Sequence, residues 1–194
     1  MSLRNWMNEN PAAMTGVAVV LVAICGLFIL RQLGGGGGGG PAIPVYFYDL
    51  NTGKVFLAEN TSDAPIDAPS GPTESGNAAG VEAHIYSCST CPSNMEDKTA
   101  EEVEAAGAFI FKIQMYSPEI KKRLEAGRKI KRGSNTPQNI KYGVMEGRPG
   151  LFLKTVKGKE WVDHTTAKGQ KINEKLPKKC PGQPIPNRCN PDRS

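Results

Sequence analysis

Aromatic side chains are scarce, 7% of the 194 residues, and histidine occurs only twice, at His84 and His164. With 39% hydrophobic residues besides, this leaves material for one small core and excludes a large multidomain enzyme. The two histidines lie far apart in sequence and have no obvious carboxylate partner. His164, beside Asp163 at a strand end, reads as a surface residue, and His84 as a polar residue on the strand face it shares with Glu82 and Tyr86. Gly-x-Ser-x-Gly and His-Glu-x-x-His do not occur, and Gly-x-Gly-x-x-Gly is met only inside the plain glycine run 34–40, which removes the common hydrolase, zinc-protease and dinucleotide signatures. Thr52-Gly53-Lys54 lacks the upstream glycine of a phosphate loop, and no helix pattern follows it. Patterned apolar sequence is not lacking, so a fully disordered chain is excluded too.

Charge is unevenly distributed behind a net +5. Residues 1–40 carry +1, residues 41–106 hold two basic and eleven acidic side chains (−9), and residues 107–194 hold twenty basic and seven acidic (+13). Such asymmetry can mark an anionic partner, but the plainer expectation is a match between the two parts within one domain. The densest basic stretch, Lys121 to Arg132, has seven basic residues and one acid. It suits an anionic polymer or lipid surface, or simply a solvated helix face. Without interleaved aromatics it is no nucleic-acid stacking surface, and no nucleic-acid partner is expected.

One long apolar run stands out. Ala12 to Leu30 carries no charge over nineteen residues. At ~1.5 Å per residue a helix here is roughly 28 Å long, close to the ~30 Å hydrocarbon core. The exit Phe28-Ile29-Leu30-Arg31 lacks the small-x-small pattern of a cleaved signal peptide, and Ile24 is too bulky to precede a lipidated cysteine, so Cys25 is a small apolar residue of the helix. The expectation is a retained single-pass anchor: a cytoplasmic stub over 1–11, the anchor over 12–33, a linker over 34–43 and an exposed domain over 44–194. Arg4 and Arg31 tie on the positive-inside count, and the short stub is the natural part to stay inside, which places the domain in the periplasm. Gly34 to Gly40 gives a flexible tether with an r.m.s. span of about 14 Å.

The exposed domain reads as α+β. Val45–Asp49 and Lys54–Ala58 flank a four-residue loop ending in Gly53, a β-hairpin. The loop over 59–80 is rich in proline and glycine, and Val81–Tyr86 alternates as a strand. Thr99 caps a short helix to Ala106. Ala108–Tyr116 is ambiguous between strand and helix, although its β-branched and aromatic content favours strand. Ser117-Pro118-Glu119 starts a helix that ends at Gly127. Gly133 to Asn139 reads as loop, Leu151–Val156 and Glu160–Asp163 as a second hairpin, and Thr165 or Thr166 caps a last helix ended by Pro177.

Four cysteines fall in this domain, as Cys88-x-x-Cys91 and Cys180-x8-Cys189. A thin core gains from cross-links, and outside the cytoplasm disulfides are the default, although four cysteines allow three pairings. A bridged tail over 180–189 is one of them, worth roughly 2–3 kcal/mol on loop closure. Two other uses stay open. Cys88, Cys91, Cys180 and Cys189 could hold zinc in a cytoplasm-facing module, though the x8 spacing is loose for it, with His84 able to replace one ligand. Alternatively, the order strand, Cys-x-x-Cys, helix, strand, helix, hairpin, helix follows a thioredoxin-like oxidoreductase, with Cys88 as nucleophile, Cys91 as resolving thiol, and Arg148-Pro149-Gly150 where such folds place a cis-proline. Glu82, His84, Lys112 and Gln114 argue against it, since strands covered on both faces are nearly continuous apolar runs.

Tyr46-Phe47-Tyr48-Asp49-Leu50-Asn51-Thr52-Gly53-Lys54, Ala64–Gly71, Gly80–Cys88 with Cys91, Tyr116–Glu119 and the Cys180-Pro181…Cys189 tail, behind an N-terminal anchor, resemble a group of single-pass membrane-anchored proteins of planctomycete-type bacteria. The resemblance covers most of 41–189. It implies a bacterial envelope setting and assigns no activity or catalytic residue. The leading expectation is a disulfide-braced, non-enzymatic module that binds an envelope protein or an anionic polymer.

Overall fold

The computed structural model describes residues 43–176, 180 and 186–191. The chain divides into units 1–38 and 39–194, and every described residue belongs to the second. The expected anchor and the glycine run fall outside the described residues, among which no helix is long and apolar enough to cross a membrane.

The first hairpin forms as its turn chemistry demands, from β1 (Pro44–Asp49) and β2 (Val55–Glu59), with Tyr48 opposite Val55. Asp49 closes its loop. The carboxylate accepts the Asn51 N–H at 2.9 Å and the carbonyl accepts the Gly53 N–H at 2.8 Å, while Gly53 takes a φ of +72° that a side chain would disfavour. β3 (Gly80–Ser87) follows the long loop, then α1 (Ala100–Ala105). Here Thr99 and Glu102 form a reciprocal capping box, and Val103 is fully buried. The ambiguous segment is a strand, β4 (Ala108–Tyr116), and Ser117 caps α2 (Pro118–Gly127) by accepting the Ile120 N–H at 3.2 Å.

One helix departs from the sequence expectation. α3 (Pro137–Met145) begins inside the stretch read as loop, with Thr136 accepting the Asn139 N–H and Pro137 in the first turn. This repeats the start at Ser117-Pro118. The helix is short and commits only Ile140, Gly143 and Val144 to the interior, too few apolar positions for a helical period to stand out. The second hairpin, β5 (Leu151–Lys154) and β6 (Val162–Asp163), precedes α4 (Ala167–Glu174), capped by Thr166, and β7 (Asn187–Arg188) ends the series.

The strands form one sheet in the order β2-β1-β3-β4-β5-β6, every neighbour antiparallel, with β7 on the second half of β3. This topology corrects the thioredoxin-like order. That fold needs β3 and β4 parallel around a helical crossover, whereas they lie antiparallel side by side, and the cis peptide among the described residues precedes Pro65, not Pro149.

Strand alternation divides the interior. Val81, Ala83, Ile85 and Ile113 pack with Val103 and Met95, the face that α1 and its preceding loop cover. Ile120 and Leu124 of α2 and Ile140 and Val144 of α3 rest on Leu151 and Leu153. A third cluster, Phe47, Phe56, Ala64, Ala68 and Ala79, folds the proline-rich loop onto the first hairpin. Each large aliphatic so buried contributes on the order of 1.5–3 kcal/mol.

The disulfides are Cys88–Cys180 and Cys91–Cys189, with Cα–Cα distances of 5.3 and 5.4 Å. The tail is therefore not closed on itself from 180 to 189. Docking of β7 beside β3, where the Cys189 N–H donates to the Ile85 carbonyl at 2.9 Å, brings Cys189 to Cys91 instead. Spanning 92 and 98 residues, either bridge formed alone is worth about 4–5 kcal/mol in the chain-entropy account, and the second then closes a much shorter loop for roughly 3 kcal/mol.

Candidate binding cleft

The antiparallel register aligns side chains in rows across the sheet. Phe47 faces Glu82, Glu82 faces Gln114 and Gln114 faces Leu153, while His84 faces Lys112 in the next row. Period-two alternation puts these on one face together with Tyr116 and Leu151. The β3–β4 register shifts after His84, so that Lys112 opposes His84, Ile110 opposes Ile85, and Phe111 is the extra residue. Phe111 then meets Tyr86 edge-on at 5.9 Å, and Lys112 stays beside His84. Lys141 and Met145 of α3, Asn173 of α4 and Arg188 of β7 complete the wall of a cleft of about 430 Å³.

Glu82 is the hub. Its Oε2 accepts the Gln114 amide at 2.9 Å, and its Oε1 lies 3.3 Å from His84 Nε2 and 3.5 Å from Arg188 Nη2. Burial pushes the Glu82 carboxyl up, but the contact with and charge of His84, the Gln114 hydrogen bond and Arg188 outweigh it and hold it at about 2. Burial lowers the His84 imidazole, with Lys112 and Arg188 adding to the effect against the pull of Glu82. His84 is thus neutral near pH 7, its share in lowering Glu82 belongs to acid pH, and Arg188 with the Gln114 amide keeps Glu82 ionised at neutrality. His84 Nε2 is buried, and its approach to Glu82 is off the line of a hydrogen bond, so it has no hydrogen-bond partner among the described residues. Lys112 is lowered to about 8, by burial first and by Arg188, against Glu82; its Nζ donates to the neutral Asn173 Oδ1 at 2.8 Å. Burial, then the charges of Glu82 and Asp63, raise the Tyr116 phenol.

Beside the cleft, buried Asp63 takes Lys141 at 2.7 Å and Arg128 at 3.2 Å, tying the acidic loop to α2 and α3. With Glu82–Arg188, this realises part of the expected match between the acidic and basic parts of the chain. Within the basic stretch Arg128 is spent on Asp63, and Lys121 donates to the Pro65 carbonyl. Lys122 and Arg123 face solvent.

The sequence-level candidates are distributed differently from their spacing. Cys88 and Cys91 belong to separate bridges and do not face each other as a redox pair. With all four sulfurs in S–S bonds, none is a thiolate for zinc. His164 is partly buried, its Nε2 3.0 Å from the Arg148 carbonyl, and Asp163 accepts from the Thr165 N–H, the Thr165 hydroxyl and the Gly150 N–H, a corner that joins β5 to α4. His84 does share a face with Glu82, but in a covered cleft, at 8% exposure. Glu82, Lys112 and Gln114 stood out in the sequence as polar interruptions of strands; Arg188 and Asn173 gave no signal. No protein family, curated protein or solved structure matches the chain.

Proposed function

We propose that this is a non-enzymatic binding domain of the bacterial envelope, held at the membrane by its N-terminal segment on the oxidising side, and that its partner docks at the cleft. The observation that supports this most is the pairing of Cys88 with Cys180 and Cys91 with Cys189. Bridges of this kind persist in oxidising compartments and are rare in the cytosol. One of them also serves the cleft. Cys189 directly follows Arg188, so its bond to Cys91 fixes the guanidinium that flanks Glu82. An envelope protein or an anionic polymer is the partner that the exposed cations of α2 and the cleft suit.

The test is an alkylation count on the full chain, trapped in intact cells and weighed after extraction. Of the five cysteines, Cys25 alone is expected to react without reductant, and all five after reduction. Five reactive thiols in the untreated chain would overturn the oxidising placement and restore the inward-facing zinc module.

A further inference from the structure

We propose that the cleft takes a carboxylate carried on an apolar body, the carboxylate lying among Lys112, Arg188 and His84 and the body against Tyr116, Leu151 and Met145. This rests on the binding-domain reading above and names the ligand chemistry of the same cleft.

The charges decide the ligand's sign. Asp63 is shared by Lys141 at 2.7 Å and Arg128 at 3.2 Å, so Lys112, Arg188 and a share of Lys141 stand in the cleft against the single carboxylate of Glu82. The excess is positive, and an anion such as a carboxylate offsets it. The hydrogen-bonding inventory agrees. Lys112 has three protons and a neutral acceptor in Asn173, and His84 Nε2 is buried with no hydrogen-bond partner. What Lys112 lacks is an anionic acceptor. Both oxygens of Glu82 already have partners, Gln114 at Oε2 and Arg188 at Oε1, so a ligand ammonium gains little there.

The space admits more than an anion. At ~30 Å³ per molecule, water would fill about 430 Å³ only with a cluster of more than ten, and the volume lies in the ~300–1,000 Å³ range of small-molecule sites. Tyr116, Leu151 and Leu153 line one part of it, and Met145, 74% exposed, stands at its rim. Two sources offer this chemistry: a free organic acid, and the C-terminus of a polypeptide with an apolar last residue.

Calorimetry on the full chain in lipid nanodiscs tests the proposal with 3-phenylpropionate, its amide, and acetyl-Gly-Gly-Phe with a free or amidated end. The acid forms are expected to bind about tenfold or more tighter than the amides. Lys112→Met and Arg188→Met should each cost about tenfold, and Lys157→Met, exposed in the turn of the second hairpin and outside the cleft, nothing. Saturation with the acid should also shift the His84 imidazole titration upward by NMR, a change a merely structural cluster would not show. A peptide acid about tenfold tighter than phenylpropionate identifies a chain end; equal affinities identify a free acid. Equal binding of acid and amide, absence of saturable binding up to about 10 mM, or acid affinity untouched in both variants would overturn the ligand class. The alkylation count separates the two failures: oxidised cysteines with no carboxylate preference sink only the ligand assignment, whereas free thiols sink the envelope reading.

Discussion

Lys112 is held where a lysine is poorly served: largely out of water, next to Arg188, with a neutral amide as acceptor. Its folded value of about 8 lies below the ordinary 10.5, so between those values the unfolded chain binds more protons and stability rises with pH. The melting temperature is therefore expected to climb from pH 8 toward 10 in the wild-type chain and to stay flat in Lys112→Met, which should melt ~2–4 °C higher at pH 7, about 1 kcal/mol. Above pH 10 the raised Tyr116 phenol acts with the opposite sign, because the folded state then holds the proton longer. At the acid end, Glu82 contributes stability that is full above 4.5 and lost as pH falls toward 2, and Glu82→Gln removes that acid limb. His84, lowered from 6.5, loses stability in the same direction as pH drops below 6.5. Thermal melts across pH check all of these, and a Lys112→Met variant that melts lower would contradict the strained-cation account.

At the scale of elements, the domain depends on how short helices are started. α1, α2, α3 and α4 each open on a Ser or Thr whose hydroxyl accepts a backbone N–H in the first turn. Thr136 is 7% exposed and caps the helix that carries Lys141 and Met145 to the cleft. Thr136→Ala is expected to cost ~1 kcal/mol in urea unfolding and to speed amide exchange in α3 while α1 keeps its protection. The join between α2 and β5 is tighter still. Gly150 has a φ of +118°, and a Cβ there would come within 2.5 Å of Ile120 Cγ1, so the chain enters β5 at a position closed to side chains.

Across the whole molecule, the two bridges hold the C-terminal segment onto β3, and they are not equivalent. Replacing Cys91 and Cys189 by Ser should release β7, cost ~3–4 kcal/mol and weaken carboxylate binding as much as Arg188→Met does. Replacing Cys88 and Cys180 should cost comparable stability but leave Arg188 bonded in place through Cys189, with binding retained. Paired calorimetry and denaturant titration distinguish them. Equal loss of binding in both variants would show that the tail acts through global stability and not through Arg188.

The local elements were written in the sequence because local chemistry makes them. Asp49 to Gly53 is a turn whatever surrounds it, and Thr99 with Glu102, or Ser117 with Pro118, starts a helix from within its own first turn. Thr136-Pro137 carries the same start, but too few apolar positions follow it to reveal a helical period. Strand alternation already placed Glu82 beside His84, and the polar interruptions at Lys112 and Gln114 argued against a doubly buried parallel sheet. What alternation cannot say is what covers a face. Glu82 and Arg188 meet across 106 positions, and Cys91 and Cys189 across 98. Contacts of that span depend on β4 lying antiparallel to β3 and on β7 docking at its edge, and no local rule encodes either. Turns, helix starts and the need for cross-links in a thin core follow from the sequence, because their causes are local. Which cysteines pair, and the meeting of a buried carboxylate, an imidazole and two cations in one cleft, follow from the antiparallel sheet and the docked tail.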